Sequence, residues 1–310
     1  CPVRKTTPRA LTIPEIEGIV NQYGIYARKA KEIGFDAVEI HGSHGYLIAE
    51  FLSPFANSRT DQYGGSLANR TRFAQEVIRE VRRRIGNRFP VLFRIAGEEH
   101  VPGGLTKEET PLIAKLVEDA GVDAIDVSAG NYWTAEWIVP PMTLPQGCNV
   151  PAAEAIKRKV GIPVVVAGRI NGPELAEQIL KEGKADIIAM ARGLVADPDL
   201  PQKAQEGRTE EIRRCIACNV CIDRLFQEME IVCTVNPEVG REAEFDLKPA
   251  VTPKRVMVIG GGPAGMEAAR LARLRGHRVS LFEEDSRLGG RIEAAFQTSF
   301  KEELKSIKQY

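Results

Sequence analysis

The sequence predicts an α/β fold: a partial TIM barrel, then a cysteine-rich segment, then the start of a Rossmann-like unit. Three observations carry this. Five short apolar runs each follow an amphipathic helical pattern. Polar or glycine-rich residues stand at the ends of those runs. Near the C-terminus a strand, a glycine turn, a helix and a second strand occur together over 254–283.

The first helix is expected over Ile13–Ile33, with Thr12 as N-cap, Pro14 in the first turn and Glu15 after the cap. The strand behind it is Phe35–His41. A helix at Leu67–Ile85 leads into the strand Pro90–Ala96, and one at Lys107–Ala120 into Ala124–Ser128. Ala152–Val160 precedes the strand Pro163–Gly168, and Pro173–Glu182 precedes Asp186–Ala191. Near-continuous apolar strands between helices indicate parallel sheet covered by helices. The strand ends read His41-Gly42-Ser43-His44, Arg94, Ser128-Ala129-Gly130, Gly168-Arg169 and Ala191-Arg192-Gly193. A βα barrel collects its chemistry at such ends. The alternative is an open doubly wound sheet, which needs a crevice where strand order reverses. Five strands are too few for an eight-stranded barrel, so the chain is expected to be an internal piece of a longer protein. The barrel portion is assigned to 1–200, the cysteine segment and a Pro/Glu-rich linker to 201–252, and the start of a dinucleotide-binding domain to 253–310.

Composition is that of an ordinary globular protein, with 43% hydrophobic and 27% charged residues. Lys+Arg and Asp+Glu balance at 42 each, which gives no sign of a nucleic-acid or membrane partner. No apolar run is long enough for a transmembrane helix, and no signal peptide is visible, although the chain starts with Cys1 rather than Met. A cytoplasmic protein is expected, with a homo-oligomer open.

Four of the six cysteines fall in one stretch, Cys215-x2-Cys218-x2-Cys221-x11-Cys233. Clustering in an otherwise cysteine-poor chain indicates a metal site in a reducing compartment. Three evenly spaced thiols and a fourth from a later segment suit a [4Fe–4S] cluster, whose irons each take one thiolate. Zinc is the competing reading, but zinc usually pairs two separate two-cysteine knuckles. Cys1 and Cys148 are spare. Gly260-x-Gly262-x-x-Gly265 follows a strand and opens a helix, so the backbone can approach a pyrophosphate at the helix N-terminus. Glu283 closes the next strand, where a carboxylate can accept from a ribose hydroxyl, and Gly289-Gly290-Arg291 follows as a loop near the same ligand. The motif alone does not separate FAD from NAD(P)H.

His41, His44 and Tyr46 follow the first strand and could hold an oxygen and supply a proton. The surrounding residues carry a resemblance. Val38-Glu39-Ile40-His41-Gly42-Ser43-His44-Gly45-Tyr46-Leu47, then Phe51-Leu52-Ser53-Pro54 and Asn57 to Arg70, resemble the fourth-strand signature of the old yellow enzyme family. Together with the cysteines and the glycine turn, in this order, they resemble its iron–sulfur branch. That branch includes 2,4-dienoyl-CoA reductases, 2-enoate reductases and trimethylamine dehydrogenase. The resemblance implies FMN at the barrel mouth. His41 and His44 match the pair that binds the substrate's activating oxygen, and Tyr46 matches the proton donor. Arg94 matches the arginine beside the flavin pyrimidine. Gly168, Arg169, Ala191 and Arg192 match the phosphate-binding turns. There are departures: dienoyl-CoA reductases differ at His41 and His44, and amine dehydrogenases carry tyrosine where His41 stands.

The expected activity is NAD(P)H-dependent reduction of an activated C=C bond in an enoyl-CoA, enoate or enone. Electrons would pass from NAD(P)H through FAD and the [4Fe–4S] cluster to FMN. The alternative is an amine dehydrogenase, whose cation would need an aromatic cage, for which Tyr132, Trp133 and Trp137 are the candidates. A non-enzymatic cluster-binding module is the remaining reading. The loop Asn131–Trp137 reads as a substrate lid with no assigned catalytic residue.

Overall fold

A computed structural model describes residues 8–245 and 247–310. Cys1 lies outside them. In chain order the first elements are α1 (Ile13–Glu32), β1 (Val38–Gly42), α2 (Leu47–Leu52), α3 (Leu67–Ile85), β2 (Val91–Ala96), α4 (Thr110–Ala120) and β3 (Ala124–Ser128). They are followed by α5 (Ala135–Ile138), α6 (Val150–Lys157), β4 (Val164–Val166), α7 (Pro173–Lys181) and β5 (Ile187–Ile188). Short helices α8 (Arg192–Ala196), α9 (Leu200–Gln205) and α10 (Val220–Phe226) come next. Then come β6 (Arg255–Ile259), α11 (Pro263–Leu274), β7 (Arg278–Phe282), α12 (Ile292–Ala295) and a 3-10 stretch at Ser299–Lys308.

The chain divides into two compact units. Among the described residues, the first comprises 8–140, 146–170 and 174–189, and the second comprises 141–145, 171–173, 190–245 and 247–310.

In the first unit, β1 to β5 form one parallel sheet in sequential order, β1-β2-β3-β4-β5. A doubly wound sheet reverses its strand order, and this one does not, so the arrangement is an arc of a βα barrel. Period-2 alternation divides its faces. Ile40, Phe93, Ile95, Ile125, Val127, Val164 and Val166 are buried. The register pairs His41 with Arg94 and Arg94 with Asp126, which puts polar groups together on the opposite face. Glu15 closes the start of α1 as expected, its carboxylate accepting from the Thr12 N–H (2.8 Å) and hydroxyl (2.9 Å). Ser66 caps α3 through the Asn69 N–H (3.3 Å).

Several boundaries differ from expectation. β1 starts at Val38, and Phe35 is 60% exposed in the approach to it. α4 starts at Thr110, because residues 106–109 form a turn before Pro111 enters the first helical turn. α6 runs from Val150 to Lys157, with Pro151 in its first turn. β5 keeps only two residues of the expected six, since it pairs with β4 alone and only at Ile187 and Ile188.

In the second unit, Ala196, Ile216 and Val235 form a small core against Cys215, Cys218, Cys233, Leu304 and Ile307. β6 and β7 pair in parallel across α11. Among the described residues, no helix is long and apolar enough to cross a membrane.

Candidate active site and cofactor sites

At the end of β1 the chain turns sharply. His44 takes φ +61°, and α2 then starts with Tyr46 as its N-cap. The turn gathers three tilted rings: His41 to His44 at 5.0 Å between centroids, and His41 to Tyr46 at 5.2 Å. His44 Nε2 is 2.6 Å from Ser128 Oγ, at the end of β3. The three predicted site residues are thus brought together.

Burial pushes His44 down to about 4, helped by the positive field of its neighbours His41 and Arg94. His41 is lowered too, chiefly by burial and then by Arg94. Both imidazoles are therefore neutral near pH 7, so each has one N–H to give and one nitrogen that accepts. Tyr46 is half exposed, at 49%, and its hydroxyl is 2.6 Å from that of Tyr132.

Arg94 sits between two carboxylates. It reaches Asp126 at 2.9 Å through Nε and 2.5 Å through Nη2, and Glu39 at 3.1 Å. Burial raises the Glu39 carboxyl to about 7, with Arg94 opposing the rise and Asp126 adding to it. Arg94 is the expected cation on the polar face of the sheet, but it is shared with two acids that the sequence reading left unassigned. Glu39, Asp126 and Ser128 interrupt apolar runs at alternating positions. That pattern was the available signal.

Gly168 and Arg169 lie beyond β4 at φ +130° and +52°. A Cβ on Gly168 would stand 2.7 Å from Asn149 Nδ2, so the turn lies close against α6 and excludes a side chain. Consecutive residues with unusual φ can turn successive N–H groups toward an anion, as phosphate nests do. In the second unit, Ala191 is the N-cap of α8, and Arg192 Nη1 donates to Asn219 Oδ1 at 2.5 Å. Arg192 therefore lies on the cysteine loop, a placement that the phosphate-turn assignment did not foresee.

Cys215, Cys218, Cys221 and Cys233 all line one small cavity, with Arg192 and Asn219. Ala217 (φ +48°) and Asn219 (φ +58°) curl the backbone between the thiols. The Ala217 N–H points at Cys215 Sγ (3.4 Å), and Thr234 Oγ1 is 3.2 Å from Cys218 Sγ. Burial pushes the Cys215 thiol up to about 11 and raises Cys221. Among the described residues, no three His, Cys, Asp or Glu side chains are grouped so as to hold a single metal ion.

The glycine turn is built by backbone. A Cβ on Gly265 would stand 1.8 Å from the Gly260 carbonyl oxygen, so no other residue fits where α11 approaches β6. Glu283 accepts from the Gly261 N–H, and its other oxygen accepts from the N–H groups of Glu284 (2.8 Å) and Asp285 (3.1 Å). These backbone bonds hold its carboxyl below the usual range. The Gly289 N–H donates to the Gly261 carbonyl at 2.8 Å, and a Cβ on Gly290 would be 3.3 Å from Gly262 Cα. Gly290 and Arg291 thus belong to a loop packed on the turn.

Comparison with known proteins gives the family. Residues 3–211 match the NADH:flavin oxidoreductase / NADH oxidase family, and 258–301 match the NAD(P)-binding Rossmann-like domain. The chain is 47% identical to an NADH oxidase of Thermoanaerobacter brockii over 100% of its own length and 48% of that protein. It is 40% identical to the cinnamate reductase of Clostridium sporogenes, over 98% of this chain and 48% of that protein. The structure of a 2-naphthoyl-CoA reductase superposes with a TM-score of 0.91 at 36% identity, covering 97% of this chain and 46% of that one. Alkene reductases and amine dehydrogenases both occur among the relatives. The chain spans about half the length of the curated relatives it matches. On the sequence match over the barrel segment and the fold superposition together, the chain belongs to the NADH:flavin oxidoreductase / NADH oxidase family of oxidoreductases.

Proposed function

We propose that this chain carries the substrate site of an NAD(P)H-dependent ene-reductase acting on an enoyl-CoA, enoate or enone. The observation behind this reading is the cluster of two neutral imidazoles and a phenol at one strand end. His41 and His44 can each donate an N–H to a carbonyl oxygen. When Ser128 donates to His44 Nε2, the proton of His44 is on Nδ1. A carbonyl held this way withdraws electron density from its conjugated double bond, so the β-carbon becomes electrophilic. Tyr46 then delivers its phenolic proton to the α-carbon.

FMN, when bound, supplies the hydride for the β-carbon. Arg94 would hold its pyrimidine edge, and Gly168 and Arg169 its phosphate. The close-packed turn at Gly168 and the cation on the polar sheet face fit such a ligand. Cys215, Cys218, Cys221 and Cys233 would hold a [4Fe–4S] cluster. Four thiols on one cavity fit it, and iron would offset the burial that otherwise keeps Cys215 protonated. Gly260, Gly262, Gly265, Glu283, Gly290 and Arg291 would hold FAD or NAD(P)H.

The amine-dehydrogenase reading has less support, because the aromatic rings are already engaged. Trp137 stacks on His100 at 3.5 Å, Trp133 meets the Phe55 edge at 6.0 Å, and Tyr46 and Tyr132 meet edge to face.

Stopped-flow measurement of the full-length protein tests the proposal. Tyr46→Phe should slow substrate reduction by ~10²–10⁴-fold while flavin reduction by NAD(P)H stays near wild type. An unchanged oxidative half-reaction would remove Tyr46 from the mechanism. Turnover of trimethylamine with none of an enoyl-CoA, an enoate or a cyclic enone would overturn the reading as a whole.

A further inference from the structure

The hydroxyls of Tyr46 and Tyr132 are 2.6 Å apart, so one of them donates to the other. Their rings meet edge to face at 5.6 Å. This contact joins residues 86 apart in sequence, and the elements that carry them are tied to a single carboxylate.

Glu99 is that carboxylate, and it is 2% exposed. One oxygen accepts from Ser53 Oγ at 2.5 Å and from the Leu105 N–H at 2.9 Å. The other accepts from Asn131 Nδ2 at 3.3 Å, and the Glu99 backbone carbonyl accepts from Thr134 Oγ1 at 2.7 Å. Ser53 is the C-cap of α2, and Tyr46 is its N-cap. Asn131 and Thr134 flank Tyr132, and both are buried. Asn131 also fixes the turn locally: its N–H donates to Thr134 Oγ1 (3.1 Å), and its Oδ1 accepts from the Trp133 N–H (2.8 Å). The loop is therefore anchored on both sides of Tyr132, and the spacing of the two phenols is set by packing before any substrate arrives.

We propose that Tyr132 is a positioning and proton-relay residue for Tyr46. The inference rests on the reading of Tyr46 as proton donor. In the reduction, one hydride and one proton add across the double bond, and the hydride derives from NAD(P)H. The Tyr46 O–H bond breaks as the α-carbon C–H bond forms, and the electron pair stays on the Tyr46 oxygen. Tyr132 donates its hydrogen bond to that phenolate and stabilises it as a charge-assisted pair. Its proton then passes to Tyr46, and Tyr132 recovers one from water. This gives the Asn131–Trp137 loop a chemical role.

The test uses the full-length protein with Tyr132→Phe, Tyr46→Phe and the double variant. Tyr132→Phe should slow the oxidative half-reaction by about 10- to 100-fold, the rate equivalent of one hydrogen bond to a charged group. Flavin reduction should be unaffected. The alkaline limb of the oxidative half-reaction should move to higher pH, because the Tyr46 phenolate has lost its donor. The double variant should be no slower than Tyr46→Phe, as expected of two residues acting as a unit. A readout independent of turnover is NMR titration of ring-labelled tyrosine, with the Tyr46 signal assigned by its loss in Tyr46→Phe. Its pKa should rise in Tyr132→Phe. A slower rate with limb and phenol pKa unmoved would reduce Tyr132 to packing and overturn the proposal. Wild-type behaviour of Tyr132→Phe would overturn it as well. Wild-type rates in Tyr46→Phe would instead bring down the proton-donor reading, and this inference with it.

Discussion

All five residues of β3 are buried, whereas β6, α11 and β7 contain no buried residue among them. The site at the end of β1 is assembled across the sheet: His44 meets Ser128 from β3, and Arg94 from β2 lies between Glu39 and Asp126. The glycine turn is assembled mostly from backbone, by the close approach of Gly265 to Gly260, with one carboxylate from the end of the adjacent strand β7, Glu283, on the Gly261 N–H. The cysteine loop is likewise mostly local, three of its four thiols lying within seven residues. A site made of side chains on separate strands needs a packed sheet to set its register. A site made of backbone or closely spaced ligands carries its geometry in its own sequence.

The largest effect should come from breaking a local site while the strand-end site survives. Anaerobically purified full-length protein should contain about four irons per chain, as one cubane cluster requires. Cys218→Ala should lose that iron, and with it NAD(P)H-driven turnover. Substrate reduction by chemically reduced flavin should persist, because the strand-end site is held by contacts within the first unit, His44 with Ser128 and Tyr46 with Tyr132. Stoichiometric zinc without iron would overturn the cluster assignment. Loss of flavin reactivity along with iron would break the distinction between the two regions.

A smaller effect should separate the two sheets by stability. Phe93 is fully buried in β2, and Phe→Ala in such a core costs about 3–5 kcal/mol. Val258 in β6 is only half-buried, and Val258→Ala should cost about 1 kcal/mol. A multi-domain protein has no single unfolding free energy, so the comparison belongs to native-state hydrogen exchange, read separately in β2 and β6. Equal loss of protection in the two strands would show that burial does not distinguish them.

The same difference decided what could be read beforehand. The five helix–strand repeats, the bounds of α3 and β3, and the residues of the glycine turn were legible, because periodicity and short motifs are local. His41, His44 and Tyr46 were legible through a continuous signature. The acids around Arg94 were not, since their meeting depends on parallel register between β1, β2 and β3. Tyr132 reads in the sequence as part of a loop and as a candidate for an aromatic cage, and nothing local pairs it with Tyr46, because the link runs through Glu99, Ser53 and Asn131. β5 was expected to be longer than it is, because an apolar run does not report how many strands it pairs with.

The smallest expected effect concerns protonation of the strand-end site. The folded His44 titrates at about 4 against an ordinary value of 6.5, because burial disfavours its charged form. Between these values the unfolded chain binds a proton that the folded protein excludes, so stability rises with pH across this window. The contribution is complete above 6.5 and is lost as pH falls toward 4. His44→Asn keeps a polar side chain without the titration. The stability difference between wild type and this variant should stay constant above pH 6.5 and move against the wild type as pH falls to 4, by on the order of 1 kcal/mol once partial solvent exposure is allowed for. Hydrogen exchange in β1 and β3, measured at several pH values, would read it. Glu39 on the same sheet face has the opposite sign. Its folded value of about 7 lies above the ordinary 4.5, so its contribution is present at low pH and is lost as pH rises through 7. A His44 difference that stays flat from pH 8 down to pH 4 would mean that the imidazole titrates near its ordinary value in the folded protein, and that it is not held neutral to donate to a carbonyl.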